Sequence, residues 1–481
     1  MASEDALLAH RSAVPKPLLW GTILFLAAAP CVLALATLGR IQPDENYQVL
    51  EPALYCARGY GMLAFEWRIG LRNWSLPFFF AGIIRLCDRL GIRDPLACRA
   101  VMALPLFLLH LGLLCAVYRY ARRRIGAPAA YLALLAVGLY GFILQFAGRT
   151  MSETFSSAFL VMAVDALDAC QGRWRVGAAA APLAQPPRQA AACGLLAGLM
   201  LGMAVVTRYA SLYAVIAVVI WLVMQRYWRL LRWSALAGLL VAAGLGMLDW
   251  LTWGGPFHSL LLQARFHALA GAEVQHIPVQ TLSYYLKYLP IYLPLWAWIG
   301  VVVALRRFLP RLPLGLFCAA IYWIALFLTP HKEPRYLYPG VLLILLDAAP
   351  GIVDAIQRLP RRGLRVACVS GTLAMSLVSV FLHRDMKSDE YHAILLAARP
   401  PEVTGLLALE SDPWDSAGYF YLGKNIPWIV LAAPAGREFQ QALADPRINR
   451  AITRTATGLA QLRAVGFHEI DRVGSETILA R

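Results

Sequence analysis

The chain has 481 residues, of which 59% are hydrophobic and only 15% charged. A soluble domain carries about a quarter charged residues, so a soluble globular enzyme, a disordered chain and a disulfide scaffold are excluded, and repeated apolar runs of about 20 residues read as a polytopic helical membrane protein. The net charge of +16 comes from five lysines and 39 arginines against 28 acidic residues, in short clusters between apolar runs, which assigns it to membrane orientation rather than to nucleic acid.

The first apolar run, 18–38, has the length of a span and no cleavage site, so it is expected to stay as the first membrane helix. The loop 39–96 follows; inside it 75–87 is too short and too interrupted by charge for a span, and reads as a helix lying at the interface or packed re-entrantly. Further spans are expected at 97–117, 129–147, 153–170, 190–207, 210–225, 232–252, 285–305, 313–330, 336–356 and 364–382, eleven in all. The basic clusters His10-Arg11 with Lys16, Arg119–Arg124, Arg173–Arg188, Arg226–Arg232, Arg306–Arg311 and Arg358–Arg365 then share one side, which the positive-inside rule makes the cytoplasm. Loops 39–96, 148–152, 253–284 and 331–335 face the other side. So does the tail, where short apolar runs (Gly405–Leu409, Trp428–Ala432) alternate with turn segments. The expected organisation is an all-α transmembrane unit over 1–383 and a small extracytoplasmic α/β domain over 384–481. The nine cysteines fall mostly in apolar stretches without CxxC or Cys/His spacing, so no metal site is expected. Arginine bias with heavy Ala and Leu usage points to a GC-rich bacterial genome and hence to the bacterial inner membrane, with the ER membrane as the eukaryotic counterpart.

Two extracytoplasmic loops concentrate the chemistry. Asp44, Glu45, Glu51 and Glu66 are dense in the first, although acidic residues are scarce in the chain. Pro43 sets a helix start with Asp44 and Glu45 in its first turn, which reads equally as an N-cap of a solvated amphipathic helix. In the second loop, Thr329–Pro339, His331, Lys332 and Arg335 collect on the face that otherwise avoids basic residues. An anionic ligand such as a lipid phosphate would account for that; a Lys–Glu and Arg–carboxylate network tying loops together is the alternative. Asp165 and Asp168, at the cytoplasmic end of their span, read as packing or solvation groups. Asp249 is an intramembrane carboxylate, costly unless paired or functional, with Arg208 and Glu153 as candidate partners.

The stretch QPDENYQVLEPALYCARGYGMLAFEWRIGLRNWSLP from Gln42 resembles the first luminal loop of the family of lipid-phosphate-mannose-dependent α-mannosyltransferases of GPI-anchor and N-glycan assembly. TPHKEPRYLYP from Thr329 is similar to that family's His-Lys-Glu-x-Arg-Phe-x-x-Pro motif, Gly148–Glu153 to its Arg-Thr-Leu-Ser segment, and Asp249–Phe257 to its Asp-x-x-Phe-Tyr-Gly motif. The resemblance covers roughly 40–345 with the motifs in order; Gln42 stands where the family has His, and the tail is outside it. It implies the GT-C fold, a helical bundle with its site at the extracytoplasmic surface, and a polyprenyl- or dolichyl-phosphate sugar donor. The implied reaction is inverting transfer of a sugar, mannose by resemblance, to a glycolipid or glycan acceptor, forming an α-glycosidic bond without a cofactor. Asp44 is the expected general base, with Glu45 orienting the acceptor or replacing it. His331, Lys332, Arg335 and Arg149 are expected at the donor phosphate, and Glu66 and Asp249 at substrate. A transporter or flippase of a lipid-linked sugar is the rival, but it would carry repeat symmetry and midplane polar groups.

Overall fold

A computed structural model of the chain describes residues 14–39, 41–170, 187–269, 280–308, 313–382, 387–414 and 416–481. His10-Arg11, Arg40, most of the 173–188 cluster and the expected domain boundary at 383 lie outside them.

Helix α1 (Lys16–Thr37) opens at Pro15 and Pro17, where a missing N–H costs nothing. After the first loop, with α2 (Glu51–Arg58) and α3 (Ser75–Arg89), come α4 (Pro95–Ile125), α5 (Ala127–Gly138), α6 (Ser152–Ala169), α7 (Pro187–Thr207), α8 (Leu212–Met224) and α9 (Trp228–Trp253). They are followed by α10 (His258–Leu269), α11 (Leu295–Phe308), α12 (Leu314–Leu328), α13 (Tyr338–Gln357) and α14 (Arg362–Val378). Asp94 caps α4 by accepting Ala97 N–H at 2.8 Å, with Pro95 as its first residue.

All eleven expected stretches carry helix, but the count of eleven spans is not reached. Among the described residues six helices are long and apolar enough to cross a membrane, or seven if Leu282–Tyr292 and Leu295–Arg307, bent by 101°, are one span. That bend follows from Pro294, which blocks the helical conformation of the residue before it. Helices Ala127–Gly138, Tyr209–Met224 and Leu314–Leu328 are apolar but shorter. The 75–87 stretch is helical as α3 and lies on α2, fastened by an Arg58–Asp88 pair at 2.7 Å and by Arg85 on the Cys56 carbonyl at 2.6 Å.

Helix α13 is the central one, 94% of its apolar window being buried. It crosses α11 at backbone contact: a Cβ on Gly300 would stand 2.2 Å from the Ala348 carbonyl oxygen. Asp165 and Asp168 do serve packing, through Arg119 and Arg123 on Asp165 at 2.6 Å and Arg123 and Arg124 on Asp168 at 2.7 and 2.8 Å.

Beyond α15 (Ser388–Ala398) the chain forms a five-stranded mixed sheet in the order β2-β1-β3-β5-β4, with β1 (Leu406–Leu409), β2 (Trp428–Leu431), β3 (Arg450–Thr453), β4 (His468–Val473) and β5 (Glu476–Ala480). β1 pairs in parallel with β2 and β3, while β5 pairs antiparallel with β3 and β4. The period-two alternation splits β1. Leu407 and Leu409 join Phe439, Leu443 and Leu462 in an outer core, whereas Leu406 and Ala408 join Tyr391 and Ile394 in a core shared with Val49, Leu50, Phe80 and Met102. The sheet unit is thereby welded to the first loop.

Candidate active site

Pro43 starts a helical turn that runs on as a π-helix over Glu45–Leu50 and then as α2. Asp44 stands at the N-cap position yet makes no capping bond, and Glu45–Leu50 is buried throughout, so the solvated amphipathic helix does not form. The turn is buried because the C-terminal unit covers it. Asn46 donates to the Tyr391 hydroxyl at 2.6 Å, and Glu51 accepts Met62 N–H at 2.6 Å and Phe420 N–H at 2.7 Å. Gly61 and Gly418 allow these approaches, since a Cβ on either would come within 2.7 Å of Glu51 oxygens.

A cavity of about 390 Å³ opens beside this turn, lined by Asp44, Gln48, Glu66 and Arg72 from the first loop, His331, Glu333, Arg335 and Tyr336 from the loop after α12, and Trp414 from the tail. Arg335 is its hub. The guanidinium pairs with Asp44, holds Glu333 through Nε at 2.7 Å, and approaches Glu153 at 3.5 Å. Glu153 in turn pairs with Arg208 at 2.9 Å. His331 Nε2 lies 3.0 Å from Glu333, Arg72 pairs with Glu66 at 3.0 Å, and Gln48 donates to both Asp44 and Glu66.

Burial pushes the Asp44 carboxyl up to about 6, Arg335 pulling it down while Glu333 and Glu66 push it further up. Burial would raise Glu333 too, but Arg335 and His331 outweigh it and hold that carboxylate well below its ordinary range. The cavity thus holds one carboxylate fixed as an anion and another that titrates just below neutrality. The second, Asp44, keeps 23% of its side chain accessible and can take a proton from a hydroxyl bound there.

The sequence-derived candidates divide. Asp44, Glu66, His331 and Arg335 meet at the cavity. Glu45 and Arg149 do not line it: Glu45 is 1% exposed and pairs with Arg99 at 2.9 Å and Arg149 at 3.4 Å behind the turn. A helical turn sends consecutive side chains in different directions, so Asp44 and Glu45 cannot share a target. Lys332 is buried and donates to the carbonyls of Gln280, at 3.2 Å, and Thr329, holding its loop rather than facing the cavity. Asp249 accepts Ser259 N–H at 2.9 Å and Oγ–H at 2.6 Å, starting α10 whose Gln263 and Phe266 reach the cavity wall; Arg208 and Glu153 pair with each other, not with it. Trp67, beside Glu66, is buried with its indole N–H on the Tyr47 carbonyl at 2.9 Å. Sequence reasoning missed Arg72, Gln48 and Trp414. Arg72 and Gln48 sit inside the acid-rich loop and could have been suspected as partners, whereas no local signal marks Trp414.

A helical bundle with a charged cavity at one end and a small sheet packed against that end defines a multi-pass membrane enzyme of the GT-C class. Solved structures agree in fold. ArnT from Cupriavidus metallidurans bound to undecaprenyl phosphate aligns over 96% of this chain and 98% of its own at 15% identity and a TM-score of 0.57. The Archaeoglobus fulgidus oligosaccharyltransferase tethered with an acceptor peptide aligns over 91% and 69% at 14% identity and a TM-score of 0.51. The chain belongs to the Alg9-like mannosyltransferase family, whose model matches residues 21–398. It is 28% identical to the GPI mannosyltransferase 3 of Yarrowia lipolytica over 424 residues, 86% of this chain and 77% of that protein, and 36% identical over 72 residues, 15% and 13% of the two chains, to mannosyltransferase APTG1 of Arabidopsis thaliana. It is therefore a membrane glycosyltransferase of the mannosyltransferase class, and the transporter reading is not favoured.

Proposed function

We propose that this enzyme moves mannose from a polyprenyl- or dolichyl-phosphate carrier to a hydroxyl of a glycolipid or glycan, with inversion, on the extracytoplasmic face of its membrane. The observation that carries the reading is the accessible Asp44 carboxylate set against the Arg335 hub in the cavity. The acceptor oxygen attacks the anomeric carbon and passes its proton to Asp44. The bond from that carbon to the phosphate oxygen breaks, and the lipid phosphate leaves as an anion, so a β-linked donor yields an α-linked product. Arg335 and His331 hold the departing phosphate and stabilise its growing charge, assisted by Arg72. Glu66 orients the acceptor. Glu45, Arg149, Lys332 and Asp249 act from behind, keeping the two loops and α10 in place.

Sidedness is supported by the bundle's polarity. Arg99 reaches Glu45 near the cavity end of α4, and Arg119–Arg124 lies at the other end, about 30 Å away at the rise of an α-helix. Arg307 and Arg358, paired with Asp354 near the end of α13, lie likewise far from Arg335. Basic ends toward the cytoplasm leave the cavity on the side that lacks nucleotide sugars, where a lipid must carry the donor. The test is to incubate purified protein with synthetic lipid-phosphate-mannose and extracted glycolipids. Transfer of mannose with release of lipid phosphate is expected. Movement of the lipid across sealed vesicles with no new glycosidic bond would overturn it.

A further inference from the structure

The C-terminal unit reaches the cavity, among the described residues, through Trp414. This residue stands in the loop after β1 and remains 41% exposed. It is nevertheless clamped. Its ring meets Tyr47 in a T-shaped contact with centroids 5.3 Å apart and planes at 76°, and its backbone N–H donates to Asp412 Oδ1 at 2.8 Å. The Tyr47 hydroxyl, itself buried, donates to the carbonyls of Pro413 and, at 3.1 Å, of Ser416, pinning the loop on both sides of the indole. Tyr47 and Asp44, from the same turn, both line the cavity. The result is a large ring braced by Tyr47 and partly exposed at the cavity that Asp44 also lines.

We propose that Trp414 is the platform on which a pyranose ring of the acceptor stacks, so that the C-terminal unit selects the acceptor while the loop after α12 binds the donor phosphate. The inference rests on the mannosyl-transfer reading above. A pyranose turns a patch of C–H groups to an aromatic face and its hydroxyls outward, and here Asp44 and Glu66 line the same cavity to receive them. A ring already braced by Tyr47 needs less ordering to meet a sugar than an unsupported side chain would. It also gives the C-terminal unit a task besides covering the buried turn.

The experiment compares the wild type with Trp414→Ala, Trp414→Phe and Trp414→Leu in detergent. Lipid-phosphate-mannose is the donor and octyl α-D-mannopyranoside the acceptor probe, with donor hydrolysis by water counted in parallel. Rising octyl mannoside should divert turnover from free mannose to disaccharide. In Trp414→Ala and Trp414→Leu the acceptor KM should rise about tenfold, with the donor KM and the hydrolysis rate within twofold of wild type, and Trp414→Phe should recover most of the loss. An unchanged acceptor KM in Trp414→Ala overturns the proposal. So does a parallel fall in hydrolysis that Trp414→Phe does not repair, which would make the residue a support for Tyr47. Octyl mannoside that diverts nothing in the wild type overturns the pyranose assignment. Absence of any donor turnover by the wild type would instead remove the mannosyl-transfer reading, and this inference with it.

Discussion

Replacing Asp44 by Asn tests the chemistry at its centre. The change removes the proposed base but little structure: Arg335 stays held by Glu333 at 2.7 Å and by Glu153 at 3.5 Å, and Gln48 can still donate to the remaining amide oxygen. Folding and donor KM should therefore be nearly wild type. General-base catalysis contributes about 10²–10⁴-fold, so kcat should fall by that factor, equivalent to about 3–5 kcal/mol of barrier. The pH dependence gives an independent signature. As the proposed base, Asp44 must be a carboxylate to work, and its burial raises it to about 6. The wild-type rate should thus hold above neutrality and fall to about half at pH 6 and about a tenth at pH 5. Glu333, held ionised by Arg335, adds no step in that window. In Asp44→Asn the acid limb should vanish along with the rate. The assay is release of lipid phosphate from lipid-phosphate-mannose between pH 5 and 8, with a thermal melt at each pH as control. Activity within threefold of wild type, or an acid limb that persists in the variant, would refute the assignment of the base.

Three further outcomes are expected. Arg335→Lys keeps the charge but cannot address Asp44, Glu333 and Glu153 together, so kcat/KM should drop about 100-fold with KM and kcat both affected; steady-state kinetics showing a change in neither would remove Arg335 from the phosphate site. Gly418→Ala places a Cβ 2.5 Å from a Glu51 oxygen at a φ of +76°, so it should lower stability by about 1–3 kcal/mol and expose the C-terminal unit to protease, both read on the purified protein. In a background without native cysteines, Gln440→Cys should react with a membrane-impermeant maleimide from outside and Arg122→Cys only after the cytoplasmic side is opened. Both side chains are exposed, so the reverse pattern would invert the topology.

What the sequence determined by itself was whatever depends on local composition. Runs of apolar residues dictate helices whatever surrounds them, because an unpaired backbone group inside a bilayer is too costly to leave. Hence α1, α7 and α13 begin and end close to the expected spans, α4 starts near its own but runs on to Ile125, and strand-like runs in the tail become β1 and β2. The dense carboxylates of the first loop and the bases at His331–Arg335 were also legible as a candidate site, since charge so concentrated in a charge-poor chain demands a ligand or a partner. Which of those groups face the cavity was not. Asp44 and Glu45 are adjacent and chemically alike, and only the turn's packing against the C-terminal unit sends one to Arg335 and the other to Arg99 and Arg149. Arg335 and Lys332 part in the same way, one to three carboxylates and the other to backbone carbonyls. Trp414 is further still from sequence logic. It lies 370 residues from Asp44 in the chain and becomes a cavity wall only because Asn46, Tyr47 and Glu51 bind the tail's backbone and Tyr391. Side-chain direction and long-range contact are set by which surfaces can be buried together with their polar groups satisfied, and that condition exists only in the assembled tertiary structure.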